Sequence, residues 1–98
     1  AVSGLGVTSL GHAHPEVAEV ISQQAKTLLH TANLAAIPWQ SKLAEKLCNI
    51  SQMDKAFIAN SGAEAVECAL KLARLCGHNV GHNKPLIAVT NGAFHGRT

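Results

Sequence analysis

The sequence of 98 residues is poor in large aromatic side chains. Trp39, Phe57 and Phe94 are all it has, and there is no Tyr. A free-standing domain this small normally anchors its core with more of them. Charge is scarce too, at 14%, while 47% of the residues are hydrophobic. That balance excludes a disordered tail and predicts that much of the chain is covered. The net charge of +2 has no basic cluster behind it, and no aromatic ladder is present to stack bases. Nucleic-acid binding is therefore not expected. No apolar run is long enough for a membrane-spanning helix. The opening Ala1-Val-Ser-Gly-Leu-Gly6 has neither a basic n-region nor an initiator Met, so it reads as neither a signal peptide nor a natural start. Cys48, Cys68 and Cys76 are odd in number and form no CxxC pair, which predicts small packed thiols in a reducing compartment. One domain at most fits this length, and the burial signal suggests a piece of something larger.

What is present has a clear order. Residues 1–14 are rich in Gly, Ser and His and read as a short extended piece running into a loop. Pro15 suits the first turn of a helix. Val17, Val20, Ile21, Ala25, Leu28 and Leu29 recur at spacings of three and four, predicting a helix through about His30. After a connector, Pro38 opens a second helix with the stripe Trp39, Leu43, Leu47 and Ile50. Residues 55–60 form an apolar run that reads as a buried strand. A third helix is expected from about Gly62 to Leu75, ending near Gly77 as a C′ glycine. Residues 85–90 read as a second buried strand. The last three elements predict an α/β arrangement: a right-handed βαβ unit with parallel strands. Two strands cannot make a stable sheet alone, which again points to missing neighbours.

The junction Asn60-Ser-Gly-Ala-Glu-Ala65 carries the most chemistry. A helix start offers unpaired N–H groups and the positive end of a dipole. Gly62 lets a ligand approach the backbone, and Ser61 adds a hydroxyl, a combination that favours phosphate. Ser61-x-x-Glu64 also spells a capping box. From pattern alone the cap is the stronger reading, and the two coexist because a cap does not use every free N–H.

Glu64, Glu67, Lys71 and Arg74 line one side of the same helix. Glu67 to Lys71 has the favourable orientation, worth about 0.3 kcal/mol, and reads as a solvated or subunit-facing edge. Past the second apolar run, Phe94 is able to stack on a flat ring and Arg97 to clamp a carboxylate. Taken singly, a core-covering Phe and a surface Arg are the plainer readings. Both lie beyond the carboxyl end of a strand, as ligands do in open α/β sheets, so they are expected near Ser61.

Six histidines include His12-x-His14 and the pair His78 and His82, yet neither has the HExxH pattern, and no metal site is expected. Gly4-x-Gly6 lacks the third glycine of a dinucleotide fingerprint, and no Walker lysine follows Gly62. Cys68 and Cys76 read as packing residues without a nucleophile arrangement.

Three ordered motifs together resemble the class III aminotransferases, fold-type I enzymes that use pyridoxal 5′-phosphate (PLP). They are Leu10-Gly-His-Ala-His-Pro15, Asn60-Ser-Gly-Ala-Glu-Ala65 followed by Glu67, Ala69 and Lys71-Leu-Ala-Arg74, and Phe94-His-Gly-Arg-Thr98. His30-Thr-Ala-Asn-Leu34, with Gln40 and Leu43-Ala44, looks most like the acetylornithine/succinyldiaminopimelate branch, with the ornithine branch close by.

The resemblance covers essentially all 98 residues and implies part of the large PLP-binding domain. It implies that Ser61, Gly62 and Ala63 hold the PLP phosphate, that Phe94 stacks on the pyridine ring, and that Arg97 binds the substrate α-carboxylate. The implied whole enzyme is a cytoplasmic homodimer of arginine biosynthesis, moving an amino group between N-acetylornithine and 2-oxoglutarate. Ornithine or 4-aminobutyrate transamination is the alternative within the class. The family's Schiff-base lysine has no match here, since Lys71 is mid-helix and Lys84 precedes an apolar run. The 98 residues alone are therefore expected to be inactive. An inert interaction piece, or a module that only holds phosphate weakly, are the readings from other classes.

Overall fold

The computed structural model describes residues 2–98. Three α-helices are found among them: α1 (Pro15–Thr27), α2 (Pro38–Ser51) and α3 (Gly62–Asn79). The chain divides into two compact units, one ending at Ile37 and the other running from Pro38 to Thr98.

In the first unit, the expected extended piece is instead a series of turns. Ser3, Gly4, Leu5 and Gly6 all have positive φ, from 48° to 84°. The amide of Gly6 donates to Val2 O at 3.2 Å, and that of Thr8 to Ser3 O at 2.9 Å. The two glycines reach this left-handed path freely, whereas Ser3 and Leu5 bear about 1–2 kcal/mol each. Extended backbone needs a neighbouring strand to hold it, and none is paired with it among the described residues. Helix α1 starts at Pro15 as expected, with Glu16 in its first turn and Lys26 in its last, both favourable to the dipole. It stops three residues before His30. Leu28 is extended, with φ −164° and ψ 119°. The Gln24 side-chain amide donates to Leu28 O at 2.7 Å, taking the carbonyl that a continuing helix would use.

In the second unit, α2 matches its predicted stripe. Lys42 Nζ sits 4.7 Å from the centroid of the Trp39 ring, a cation–π contact on the exposed side. Ser51 Oγ donates to Leu47 O at 2.7 Å, and Gln52, with φ 58°, turns the chain away.

Helix α3 runs to Asn79, so Gly77 is not its C′ glycine. That position belongs to Gly81, with φ 93°. The Gly81 amide donates to His78 O at 2.9 Å and the His82 amide to Gly77 O at 3.0 Å, the paired bonds of a Schellman motif. Gly77 serves a different end. A Cβ there would lie 2.6 Å from Pro85 Cβ, so only glycine lets the start of the second apolar run rest on the helix.

Residues 55–60 and 85–90 form no strands among the described residues, so the expected βαβ unit is not shown. No ladder bond joins them among the described residues. A strand is a paired state, and a parallel pair without further neighbours is not stable. Consistent with this, no described residue is buried. α2 and α3 do not pack on one another, and their apolar stripes stay open, with Trp39 63% and Leu72 53% exposed. No helix is long and apolar enough to cross a membrane among the described residues.

Candidate functional site

The N-terminus of α3 is built by local side-chain chemistry. Ser61 is the N-cap, extended at φ −150° and ψ 163°. Its Oγ accepts from the Glu64 amide at 3.3 Å, and the Ala65 amide donates to Ser61 O at 3.0 Å. The cap predicted from Ser61-x-x-Glu64 is therefore present, with one change of register. Glu64 Oε2 accepts from the Asn60 amide at 2.8 Å, one residue before the N-cap.

The N–H groups of Gly62 and Ala63 lie in the first turn, where the helix supplies no acceptor. Neither is taken by the cap, which uses the Glu64 and Asn60 amides. Ser61 Oγ accepts from Glu64 and retains its own proton to donate. Nothing stands within 4 Å of the position a Gly62 Cβ would occupy, so the backbone faces open space. Two N–H donors, one hydroxyl and the positive end of an 18-residue helix suit a phosphate monoester. These residues fit the phosphate of PLP.

The C-terminal segment returns to the same helix. Gly96, at φ 106°, approaches Val66 so closely that a Cβ would be 3.3 Å from Val66 Cγ1. Thr98 Oγ1 donates to Glu67 Oε1 at 2.6 Å. The other oxygen, Glu67 Oε2, is 3.5 Å from Lys71 Nζ, the i, i+4 pair expected from the sequence. The Thr98 hydrogen bond holds the Glu67 carboxyl below its ordinary value; desolvation opposes it, and Lys71 adds further lowering.

Residues 96–98 thus lie against the second turn of α3. Phe94 itself stays 81% exposed, and Arg97 is exposed with no hydrogen bond or ion pair among the described residues. Both side chains are available to a ligand and neither is spent on the protein. Glu67 and Thr98 were not expected to meet. The stripe on α3 marked Glu67 as a surface carboxylate, and nothing local links it to a residue 31 positions on.

Elsewhere, a cleft of about 390 Å³ lies between the 7–14 loop and the first turns of α1. Thr8 Oγ1 and His14 Nδ1 in its wall are shielded and lack hydrogen-bond partners. His12 lines it too, but no group of three or more His, Cys, Asp or Glu is placed to hold a metal among the described residues. All three cysteines are free thiols.

Residues 1–98 match the class-III aminotransferase family, and the chain belongs to it. Membership implies a portion of the fold-type I architecture of these enzymes. The acetylornithine aminotransferase of Nitrosomonas europaea is 50% identical over 98 residues, covering 100% of this chain and 25% of that protein. Its counterpart in Agrobacterium fabrum is 48% identical over 97 residues, covering 98% of this chain and 24% of the relative. That of Aquifex aeolicus is 48% identical over 98 residues, covering 99% and 26%. The chain therefore spans about a quarter of the length of the curated relatives it matches. No solved structure matches it.

Proposed function

We propose that this chain is part of the PLP-binding large domain of an aminotransferase that moves an amino group between N-acetylornithine and 2-oxoglutarate in arginine biosynthesis. The observation that carries the reading is its 50% identity, along its whole length, to a protein named acetylornithine aminotransferase. The donor set at the start of α3 supports the cofactor assignment.

In this reading Gly62 and Ala63 donate their N–H groups to the PLP phosphate, and Ser61 adds its hydroxyl. Phe94 covers one face of the pyridine ring. Its exposure leaves that face free to stack. Arg97 holds the substrate α-carboxylate with two parallel N–H bonds. Bound PLP supplies the electron sink that makes the α-proton acidic and carries the amino group between the two substrates. The Schiff-base lysine comes from outside these residues: Lys71 is paired with Glu67, and Lys84 sits just before Pro85. The 98 residues alone therefore anchor and orient but do not turn over.

The whole domain pairs residues 55–60 and 85–90 as parallel strands on either side of α3, giving the βαβ unit. The open apolar stripes of α2 and α3 are then covered by the rest of the domain. A cytoplasmic homodimer completes the proposal, and the three free thiols suit a reducing compartment.

The test is steady-state transamination by the full-length enzyme. N-acetylornithine with 2-oxoglutarate is expected to give the highest kcat/KM. Preference for ornithine or 4-aminobutyrate would move the assignment to another branch. Turnover by the 98-residue piece would overturn the division of roles.

A further inference from the structure

The segment 94–98 is held to α3 at two places. One is backbone: Gly96 rests on Val66, and its φ of 106° favours glycine. The other is the bond from Thr98 Oγ1 to Glu67 Oε1, at 2.6 Å. That length is in the range of a hydroxyl bonded to an ionised carboxylate. Arg97 lies between the two anchors, and Phe94 lies two residues before the first. Glu67 itself stands six residues beyond the cap Ser61, a rise of about 9 Å along the helix. Its second oxygen faces Lys71 Nζ at 3.5 Å.

We infer that Glu67 is a positioning residue: by holding Thr98 it fixes the 94–98 segment along α3, and so sets where Phe94 and Arg97 stand relative to the phosphate donors at Ser61–Ala63. This rests on the functional reading above. Glu67 touches neither cofactor nor substrate. It acts through Thr98, and loss of the tether lets the segment pivot about Gly96.

The test uses the full-length enzyme with Thr98→Val, Thr98→Ser and Glu67→Ala. Thr98→Val keeps the shape and removes the donor. It is expected to raise KM for the amino-acid substrate five- to tenfold, with kcat changed less than twofold. The visible circular dichroism of bound PLP falls with it, because ring stacking by Phe94 loosens. Glu67→Ala behaves likewise, and Thr98→Ser restores both signals. PLP affinity loses no more than the Phe94 stacking contribution, about tenfold at most, because the phosphate donors are untouched. Amide hydrogen exchange at residues 96–98 of the cofactor-free chain is expected to accelerate in Thr98→Val and not in Thr98→Ser. Wild-type KM, dichroism and exchange in Thr98→Val would overturn the inference. A wild-type enzyme that binds no PLP would overturn the functional reading instead, and the exchange measurement would still decide the tether.

Discussion

Ser61 is asked to do two things, and a pair of substitutions separates them. As N-cap it accepts from the Glu64 amide at 3.3 Å, and as a ligand group it donates its hydroxyl to phosphate. Ser61→Ala loses both. The cap contributes about 1 kcal/mol, so α3 in a peptide spanning residues 60–82 should lose helicity by circular dichroism. Ser61→Asp keeps an acceptor for the Glu64 amide and adds a negative charge at the positive end of the helix dipole. Helicity is therefore preserved or raised, by about 0.3–1 kcal/mol. The same charge now faces the phosphate. Two unit charges about 4 Å apart repel by about 1–4 kcal/mol in the range between bulk water and a protein surface. PLP affinity of the full-length enzyme should then fall by about ten- to a thousandfold, read from the cofactor absorbance on titration. Wild-type affinity in Ser61→Asp would place the phosphate away from α3. Equal loss of helicity in both variants would refute the cap.

Other consequences can be checked separately. Gly77→Ala adds about 1 kcal/mol of helix propensity but places a methyl 2.6 Å from Pro85 Cβ, a clash costing about 1–3 kcal/mol, so thermal stability should fall; combined with Pro85→Gly, the same substitution should stabilise. Gly81→Ala forces a side chain into φ 93° and should fray the end of α3 by about 1 kcal/mol, seen as faster exchange of the Gly81 and His82 amides. The Glu67 carboxyl is held below its ordinary value of 4.5, so its tether to Thr98 is at full strength above that value and weakens as pH falls through the lowered one. The Thr98 methyl resonance should follow that acid titration, and Glu67→Gln should abolish it.

Features set by neighbours in sequence were legible without the structure. The start of α3 follows from Ser61 and Glu64, three residues apart, and α2 from the spacing of its own apolar residues. The end of α3 was misplaced because Gly77 and Gly81 look alike as letters. One allows Pro85 to touch the helix and the other takes positive φ, and only the fold tells them apart. Helix α1 stops early through a Gln24 side chain that periodicity does not see. The expected strands do not form among the described residues for a physical reason: apolar runs at 55–60 and 85–90 record a preference, but pairing needs partners that these residues do not supply. At the candidate site, the Ser61 cap was readable from its spacing to Glu64, and the roles proposed for Gly62, Ala63, Phe94 and Arg97 rest on the resemblance of their motifs. The bond between Glu67 and Thr98 was not readable, since it depends on how 31 residues return the chain to α3.

The most direct test is an amide-resolved titration of the full-length enzyme, labelled with nitrogen-15, by PLP. The account predicts that the Gly62 and Ala63 amide protons shift downfield and saturate with the cofactor absorbance, as N–H groups newly bonded to phosphate. Saturable PLP binding that leaves both resonances unmoved would contradict it.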